Sequence, residues 1–132
     1  MQITKKEREC LVAVKELSAE FPVRLVDLAK RLVVKPPTAL GLVRRLKEKG
    51  LVVENRGSVL LTEKGVQAYR NIMLAHRTLE YLLSKAGISK ECACKEASKI
   101  DYLVEPSYAR RLWAYLGKPA NCPHGKPIIV RA

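Results

Sequence analysis

The stretch from Val26 to Leu51 constrains the fold of this chain more than any other, because it predicts two helices separated by a sharp bend. Lys35 is followed by Pro36 and Pro37, and proline both fixes its own φ angle and keeps the preceding residue out of the helical region. Proline is compatible with the first position of a helix, where the amide that it lacks would have no partner. We therefore predict a helix that ends before the prolines and a second helix that runs from them to Gly50.

The second helix of this stretch is amphipathic and strongly basic. Leu40, Val43 and Leu46 form its predicted apolar stripe, and most of its charged residues lie off that stripe. A short helix, a turn and a basic helix are the parts of a helix-turn-helix DNA reader. The same pattern also occurs where a helix packs in a core and exposes a solvated charged face. The residues predicted to contact DNA, including one from the hairpin described below, are Lys35, Pro37, Thr38, Arg44, Arg45, Lys47 and Arg56.

The chain is strongly basic, which bears on its partner. Its 132 residues include 25 lysines and arginines against 13 acidic residues, giving a formal net charge of +12. Such an excess favours a polyanionic partner, most often nucleic acid, although a basic surface also occurs for solubility alone. No apolar run is long enough to span a bilayer, and the N-terminus has no hydrophobic signal segment. We therefore expect a cytoplasmic protein with no membrane partner.

Two β-rich segments follow the basic helix and predict a hairpin. Residues 51–54 and 58–61 flank Asn55, Arg56 and Gly57, which form a favourable turn sequence. A helix-turn-helix followed by a hairpin with a basic tip is a winged helix, in which Arg56 would reach phosphate or a minor groove. On the alternative interpretation, Arg56 is merely an exposed turn residue.

Residues 4–20 predict a first helix, which begins with a capping box between Thr4 and Glu7. Pro22 ends it, and residues 23–25 predict a short strand that leads into the helix-turn-helix. The predicted apolar face of the first helix consists of Leu11, Val14, Leu17 and Phe21.

The second half of the chain predicts helices and a proline-rich tail. A long helix over residues 62–85 leaves the hairpin, and shorter helices follow over residues 89–103 and 106–116. The tail has three prolines and a glycine and is expected to be extended and irregular. The predicted fold class is mainly α, with an N-terminal winged helix-turn-helix domain at residues 1–64 and an all-helical dimerisation domain at residues 65–132.

Metal-ligating residue types fall on shared helix faces in the second half. His76 and Glu80 lie four residues apart on the long helix, and a second polar set follows on the next helix. If the two faces oppose each other, imidazole, carboxylate and thiolate would line one cavity, and those ligands suit iron, manganese, cobalt or zinc. The alternative is a hydrogen-bonded pair without metal. The second set consists of Cys94, Ser98 and Asp101, with Tyr102 beside them.

The four cysteines leave further alternatives open. In a cytoplasmic chain they are more consistent with reduced thiols or ligands than with disulfides. Cys92 and Cys94, with Cys122 and His124, form a possible set of zinc ligands. The Cys-x-Cys spacing of the first pair is less usual for structural zinc than Cys-x-x-Cys. Cys10, Cys92, Cys94 and Cys122 together offer four thiolates for an iron–sulfur cluster. Cys10 is also explained as a small core residue of the first helix.

Three segments in order carry a resemblance to a known family: LTEKG leading into AHRTLEYLL, then CKEASKIDYLVEPSYARRL, and the tail NCPHGKPI. With these motifs the chain resembles the iron- and manganese-dependent repressors of the DtxR/MntR type, in the short form that lacks the SH3-like domain. The resemblance covers nearly the whole chain. It implies a homodimer that binds double-stranded operator DNA when a divalent metal occupies sites between its winged and dimerisation domains.

The resemblance also implies which residues hold the metal. His76 and Glu80 match ligands of the family, Cys94 stands where some members have a histidine, and Glu9 falls at a ligand position of the first helix. Iron or manganese is the expected metal, with zinc or cobalt as alternatives, whereas the CPHG motif is common in the family without forming a metal site. The implied ligands are Glu9, His76, Glu80, Cys94 and Asp101, with Ser98 and Tyr102 as weaker donors.

The sequence supports three functional hypotheses, and none is an enzyme, because no hydrolase, phosphate-loop or zinc-protease motif occurs. The first is a metal-responsive repressor that acts as a homodimer. The second is the same DNA-binding dimer sensing redox state or an iron–sulfur cluster, or acting without metal. The third is a basic protein-interaction module that has lost operator recognition, since Leu40 and Gly41 stand where small polar residues often meet bases.

Overall fold

The structure, a computed structural model, describes residues 2–130 and divides into two compact units, Met1–Tyr69 and Arg70–Ala132. The division falls inside the long helix, five residues beyond the predicted boundary after residue 64. The predicted fold class is confirmed, because helices dominate and the N-terminal unit carries one small antiparallel sheet. No helix within residues 2–130 is long and apolar enough to cross a membrane. The elements are α1 (Lys5–Leu17), β1 (Val23–Arg24), α2 (Leu25–Leu32), α3 (Pro36–Glu48), β2 (Val52–Asn55), β3 (Ser58–Leu61), α4 (Glu63–Lys85), α5 (Lys90–Ile100) and α6 (Pro106–Tyr115).

Helix α1 begins with the predicted capping box and ends earlier than predicted. The Thr4 hydroxyl accepts from the Glu7 amide at 3.2 Å, and the Glu7 carboxylate accepts from the Thr4 amide at 3.0 Å. The helix stops at Leu17, where Ser18 leaves the helical region. Phe21 is therefore outside the helix and 75% exposed, and its predicted place on the apolar face is wrong. Residues after Ser18 bend so that the chain can enter the sheet at Val23.

Helix α3 is the predicted basic helix, and its buried side differs from the predicted stripe. Val43 and Leu46 are buried as predicted, but Leu40 is only half-buried. Residues three apart on a helix diverge by about 60° per step, so a stripe of residues at spacing three drifts around the helix. The side that packs in the core instead follows the spacings three, four and seven. Its members are Ala39, Leu42, Val43 and Leu46.

The three strands form the predicted wing. Strand β3 lies between β1 and β2 and pairs antiparallel with both. The turn between β2 and β3 places Arg56 and Gly57 at φ angles of 51° and 80°, the left-handed conformation that tight hairpins require. The Glu54 carboxylate accepts from the Gly57 amide at 3.0 Å, which holds the turn closed. Arg56 therefore stands at the tip of a fixed hairpin.

The C-terminal unit consists of most of α4, then α5, a 3-10 turn at Asp101–Leu103, and α6. Its core joins α4 and α6 to the tail through four buried side chains. The tail is irregular, as its prolines predict, with one isolated bridge between Asn121 and Pro127, and the burial of Ile128 anchors it. The four core residues are Leu74, Ala75, Ala109 and Ile128.

Candidate metal centre and nucleic-acid interface

The residues predicted to contact DNA share one property, which is exposure. Helix α3 opens at its two prolines and turns its buried side toward the core, so its basic residues face outward. Beside this helix lies an open cavity of about 300 Å³, whose lining includes Thr38, Gly41 and Arg45. Contact with DNA remains a prediction for all seven exposed residues, which are Lys35, Pro37, Thr38, Arg44, Arg45, Lys47 and Arg56.

Glu9, the implied ligand of the first helix, belongs to the N-terminal unit and is exposed. It lines the same cavity as Lys6 and Arg45. Its role as a metal ligand stays a prediction. All the other predicted metal ligands belong to the C-terminal unit.

His76 is the centre of a buried polar cluster in that unit. Its Nε2 atom lies 3.1 Å from Oε1 of Glu80, which is one helical turn further along α4. The Sγ atom of Cys94, on α5, lies 3.6 Å from the same nitrogen. On the other side of the ring, Nδ1 lies 2.9 Å from Oδ2 of Asp101. His76 is 8% exposed, Glu80 2% and Asp101 1%, so the cluster is almost closed to solvent.

The structure separates the predicted ligands of α5 into different roles. His76, Glu80 and Cys94 each offer a ligand atom, and these three atoms lie within 4.8 Å of one another. Asp101 follows the end of α5 in the 3-10 turn and contacts the far nitrogen of His76 instead of joining that triad. Ser98 donates its hydroxyl to the Cys94 carbonyl at 2.9 Å, and such bonding within the helix occupies the weaker donor. Tyr102 is half-buried and belongs to neither triad described here.

A second triad, formed by Glu80, Cys122 and His124, shares its carboxylate with the first. His124 Nδ1 lies 2.8 Å from Oε2 of Glu80, whereas Oε1 of Glu80 lies 3.1 Å from Nε2 of His76. The family resemblance predicts no metal site at the CPHG motif. The only signal for this triad was the spacing of Cys122 and His124, because their carboxylate partner comes from a distant helix.

The tail presents these two residues through a hydrogen-bonded loop. The Cys122 amide donates to the Lys126 carbonyl, and the Gly125 amide donates to the Cys122 carbonyl, both at 2.9 Å. The Arg77 guanidinium donates to the Pro127 carbonyl at 2.8 Å and ties the loop to α4. The loop therefore holds Cys122 and His124 against the same helix that carries Glu80.

The donor chemistry of both triads fits a divalent transition metal. Each triad offers one imidazole nitrogen, one carboxylate oxygen and one thiol sulfur. Nitrogen and sulfur donors of this kind hold zinc, iron and cobalt, and buried carboxylates need a nearby positive charge. Asp101 occupies the place of the outer carboxylate that commonly orients a metal-binding histidine.

The other cysteines do not gather around these triads. Burial and the negative charge of Glu7 raise the pKa of Cys10 to about 12, so its thiol stays protonated and is a poor ligand. Cys92 is exposed on α5 and belongs to neither triad. Within residues 2–130, no metal-ligating group holds more than one cysteine, and no disulfide joins the four. The predicted four-cysteine cluster thus has no support in the described part of the chain.

A winged helix-turn-helix unit followed by a helical unit that carries metal-ligating side chains is the architecture of a metal-binding transcriptional regulator. Residues 62–130 match the family model described as the iron dependent repressor, metal binding and dimerisation domain. The chain belongs to this family, whose members are regulators and not enzymes.

Relatives agree with that assignment. An uncharacterised helix-turn-helix regulator from Aeropyrum pernix is 36% identical over 108 residues, covering 80% of this chain and 59% of its own. The crystal structure of a hypothetical protein from Sulfolobus solfataricus superimposes with a TM-score of 0.84 at 32% identity, covering 97% of this chain and 100% of that one. A manganese-dependent transcriptional repressor in complex with manganese has a TM-score of 0.78 at 31% identity, over 94% of this chain and 58% of its own. The chain thus spans little more than half the length of several relatives.

Proposed function

We propose that this protein is a homodimeric transcriptional repressor that binds double-stranded operator DNA more tightly when a divalent transition metal is bound. The observation that carries the proposal is the buried triad of His76, Glu80 and Cys94, backed by the carboxylate of Asp101. A bound divalent ion would supply the positive charge that these buried acidic groups require. It would also fix α4 and α5 relative to each other, because the triad joins residues of both helices.

The DNA-binding part of the proposal rests on the N-terminal unit. The exposed face of α3 carries Arg44, Arg45 and Lys47, and the wing adds Arg56 at its tip. Basic residues on a helix and on a hairpin tip match the phosphate contacts of winged-helix proteins. Leu40 is half-buried, and it borders the exposed side of α3 together with Gly41. Thr38 is the small polar residue of α3 that can contact a base, and the basic side chains of this surface can contact guanine as well as phosphate.

The C-terminal unit supports a homodimer, because it exposes large apolar side chains. Leu103, Tyr108 and Tyr115 are largely exposed, at 66%, 66% and 87%. Exposed apolar side chains of this size are typical of surfaces that a second copy covers. Two copies would place two basic helices against one DNA site.

The chemistry of the triad also bears on the metal. The family suggests iron or manganese, whereas a thiol ligand favours iron, cobalt or zinc over manganese. We propose iron as the natural metal, because it satisfies both considerations.

The test selects DNA from a random duplex pool and measures its affinity with Fe²⁺ or Co²⁺ present anaerobically, and again after chelation. We expect chelation to weaken binding by about tenfold or more, which corresponds to about 1.4 kcal/mol. The variant His76→Gln is expected to bind weakly under both conditions. The matched control Lys99→Gln, on an exposed position of α5, should behave as the wild type. Affinity that chelation leaves unchanged would contradict metal dependence, and failure to select any sequence would contradict operator recognition.

A further inference from the structure

We propose that the open cavity beside α3 is a binding site for a small apolar α-amino acid. The cavity takes its walls from α1, from α3 and from the turn between α2 and α3, all in the N-terminal unit. None of the residues of the two metal-ligand triads lines it. The cavity would therefore give the protein a second effector, which acts on α3 directly.

The first observation is the size of the cavity and its apolar walls. Its volume of about 300 Å³ is at the lower end of the range for small-molecule sites. The aliphatic side chains of Leu32, Val34 and Leu42 line it. Gly41 adds no side chain, and a Cβ atom there would meet nothing within 4 Å. The cavity therefore has room for the aliphatic group of a ligand, whose burial is favourable.

The second observation is that the same cavity carries both signs of charge. Lys6 and Arg45 supply cations to its lining, and Glu9 supplies a carboxylate. Among residues 2–130, neither Lys6 nor Glu9 makes an ion pair or a side-chain hydrogen bond, so both are available to a ligand. The carboxylate of an amino acid matches the two cations, and its ammonium group matches Glu9. The Thr38 hydroxyl, also in the lining, can donate or accept a further hydrogen bond.

The same three charged residues disfavour other occupants. A DNA phosphate would be attracted by Lys6 and Arg45 but repelled by Glu9, and it would leave the aliphatic walls without an apolar partner. A simple carboxylic acid meets the same repulsion, and a simple amine leaves the two cations unmatched. A zwitterion with an aliphatic body is the class of ligand that satisfies every part of the lining.

Occupation of the cavity would affect DNA binding through Thr38 and Arg45. Both residues line the cavity and are also predicted DNA contacts, so this consequence rests on the proposed function. An amino acid that engages Arg45 would withhold it from DNA. The two ligands should therefore weaken each other's binding by the same factor.

The test is isothermal titration calorimetry of the full chain with L-leucine as the probe, repeated with L-valine and L-phenylalanine. The protein is first freed of metal, so that no ion competes for Glu9. We expect one leucine per chain with a dissociation constant of about 1 mM or below. The deaminated and the decarboxylated analogues of leucine should each bind more weakly by about tenfold or more, because each leaves a charged group of the cavity unmatched.

Variants locate the bound amino acid. Gly41→Leu fills the cavity from α3 and should abolish leucine binding, with circular dichroism as the check on folding. Arg45→Gln and Glu9→Gln should each weaken leucine binding by about tenfold or more, and they keep the test decisive if Gly41→Leu fails to fold. The matched control Lys5→Gln removes an exposed cation of α1 that does not line the cavity, and it should bind leucine as the wild type does.

Two results would overturn the site: no binding of any of the three amino acids, or leucine binding that Gly41→Leu leaves unchanged. If none of them binds and Gly41→Leu weakens DNA binding instead, the cavity belongs to the DNA interface. An analogue that binds as tightly as leucine would overturn the assignment to an amino acid. Because calorimetry uses no DNA, failure of the proposed function would leave the leucine result standing, and a DNA affinity that leucine does not change would overturn the competition alone.

Discussion

The Asp101 carboxylate lies 2.9 Å from Nδ1 of His76, on the side of the ring opposite to Glu80 and Cys94. When the Nδ1–H group of His76 donates a hydrogen bond to Asp101, the lone pair of Nε2 points toward Glu80 and Cys94. A carboxylate behind a histidine fixes the ring and raises its basicity as a ligand. We therefore propose that Asp101 orients His76, while its own role as a ligand stays a prediction.

This assignment predicts the effect of Asp101→Asn. The substitution removes the negative charge but keeps the size of the side chain, so metal affinity should fall by about 10- to 100-fold without being abolished. Competition with a chromophoric chelator measures the change. The control Glu96→Gln removes an exposed carboxylate from α5 and should leave the affinity unchanged. An effect as large as that of Glu80→Gln would show that Asp101 is itself a ligand.

Glu7 in α1 is expected to make the stability of the fold depend on pH. Burial raises the pKa of this carboxyl, but its hydrogen bond with Lys49, that with the Thr4 backbone, and the charges of Lys49 and Arg45 outweigh burial and hold the pKa below 4.5. Because the pKa of Glu7 is lower in the folded state, the ionised carboxylate stabilises the fold fully at pH values above the unfolded pKa of 4.5. This stabilisation is lost as the pH falls through the pKa of the folded state.

Glu7→Gln should therefore lower the free energy of unfolding by about 1–3 kcal/mol at neutral pH, because a buried charged hydrogen bond is lost. The difference from wild type should shrink as the pH falls below 4.5. Urea unfolding at pH 7 and at acid pH measures it, with Glu20→Gln, an exposed position, as the control. A difference that does not change with pH would exclude this explanation.

Substitution by alanine is expected to have opposite effects on stability at Gly65 and at Gly41, which both lie in helices. A Cβ atom at Gly65 would lie 2.0 Å from the Leu51 carbonyl oxygen, whereas a Cβ at Gly41 would meet nothing within 4 Å. Gly65→Ala should destabilise by about 2–4 kcal/mol through this clash. Gly41→Ala should stabilise by about 0.5–1 kcal/mol, because alanine is the better helix former. Chemical denaturation compares the two, and a tolerated alanine at residue 65 would contradict the close approach of α4 to Leu51.

Removal of the Arg44 side chain is expected to change the salt dependence of DNA binding. It is exposed on α3 and is proposed to contact phosphate. Arg44→Ala should weaken binding similarly for all sequences and reduce the slope of log affinity against log salt by about one. Fluorescence anisotropy over a salt series measures this slope. Lys99→Ala, on α5, is the control, and a variant slope equal to that of wild type would remove Arg44 from the interface.

The parts of the fold that the sequence predicted correctly rest on local signals. The capping box of Thr4 and Glu7 marks the start of α1, and the prolines mark the start of α3. The turn at Arg56 and Gly57 follows from the conformational preferences of those few residues. Each of these features needs only neighbours in the chain, so periodicity and turn chemistry suffice to place it.

The errors concern contacts between distant segments. The proline-rich tail carries no periodic pattern, yet Ile128 packs with Leu74 of α4 and brings Cys122 and His124 to Glu80. The change from α5 to a 3-10 turn likewise moves Asp101 from a predicted helix face to the far side of His76. Neither placement can be read from spacing, because both depend on how separate elements pack.

Metal bound at Glu80 is expected to control DNA binding, and a single titration follows both events in one sample. Co²⁺ is added anaerobically to the protein with a labelled, previously selected duplex, while the thiolate-to-cobalt band and the DNA anisotropy are recorded together. We expect the anisotropy to rise over the same range of free Co²⁺ as the band. A band that saturates while the anisotropy stays constant would contradict it.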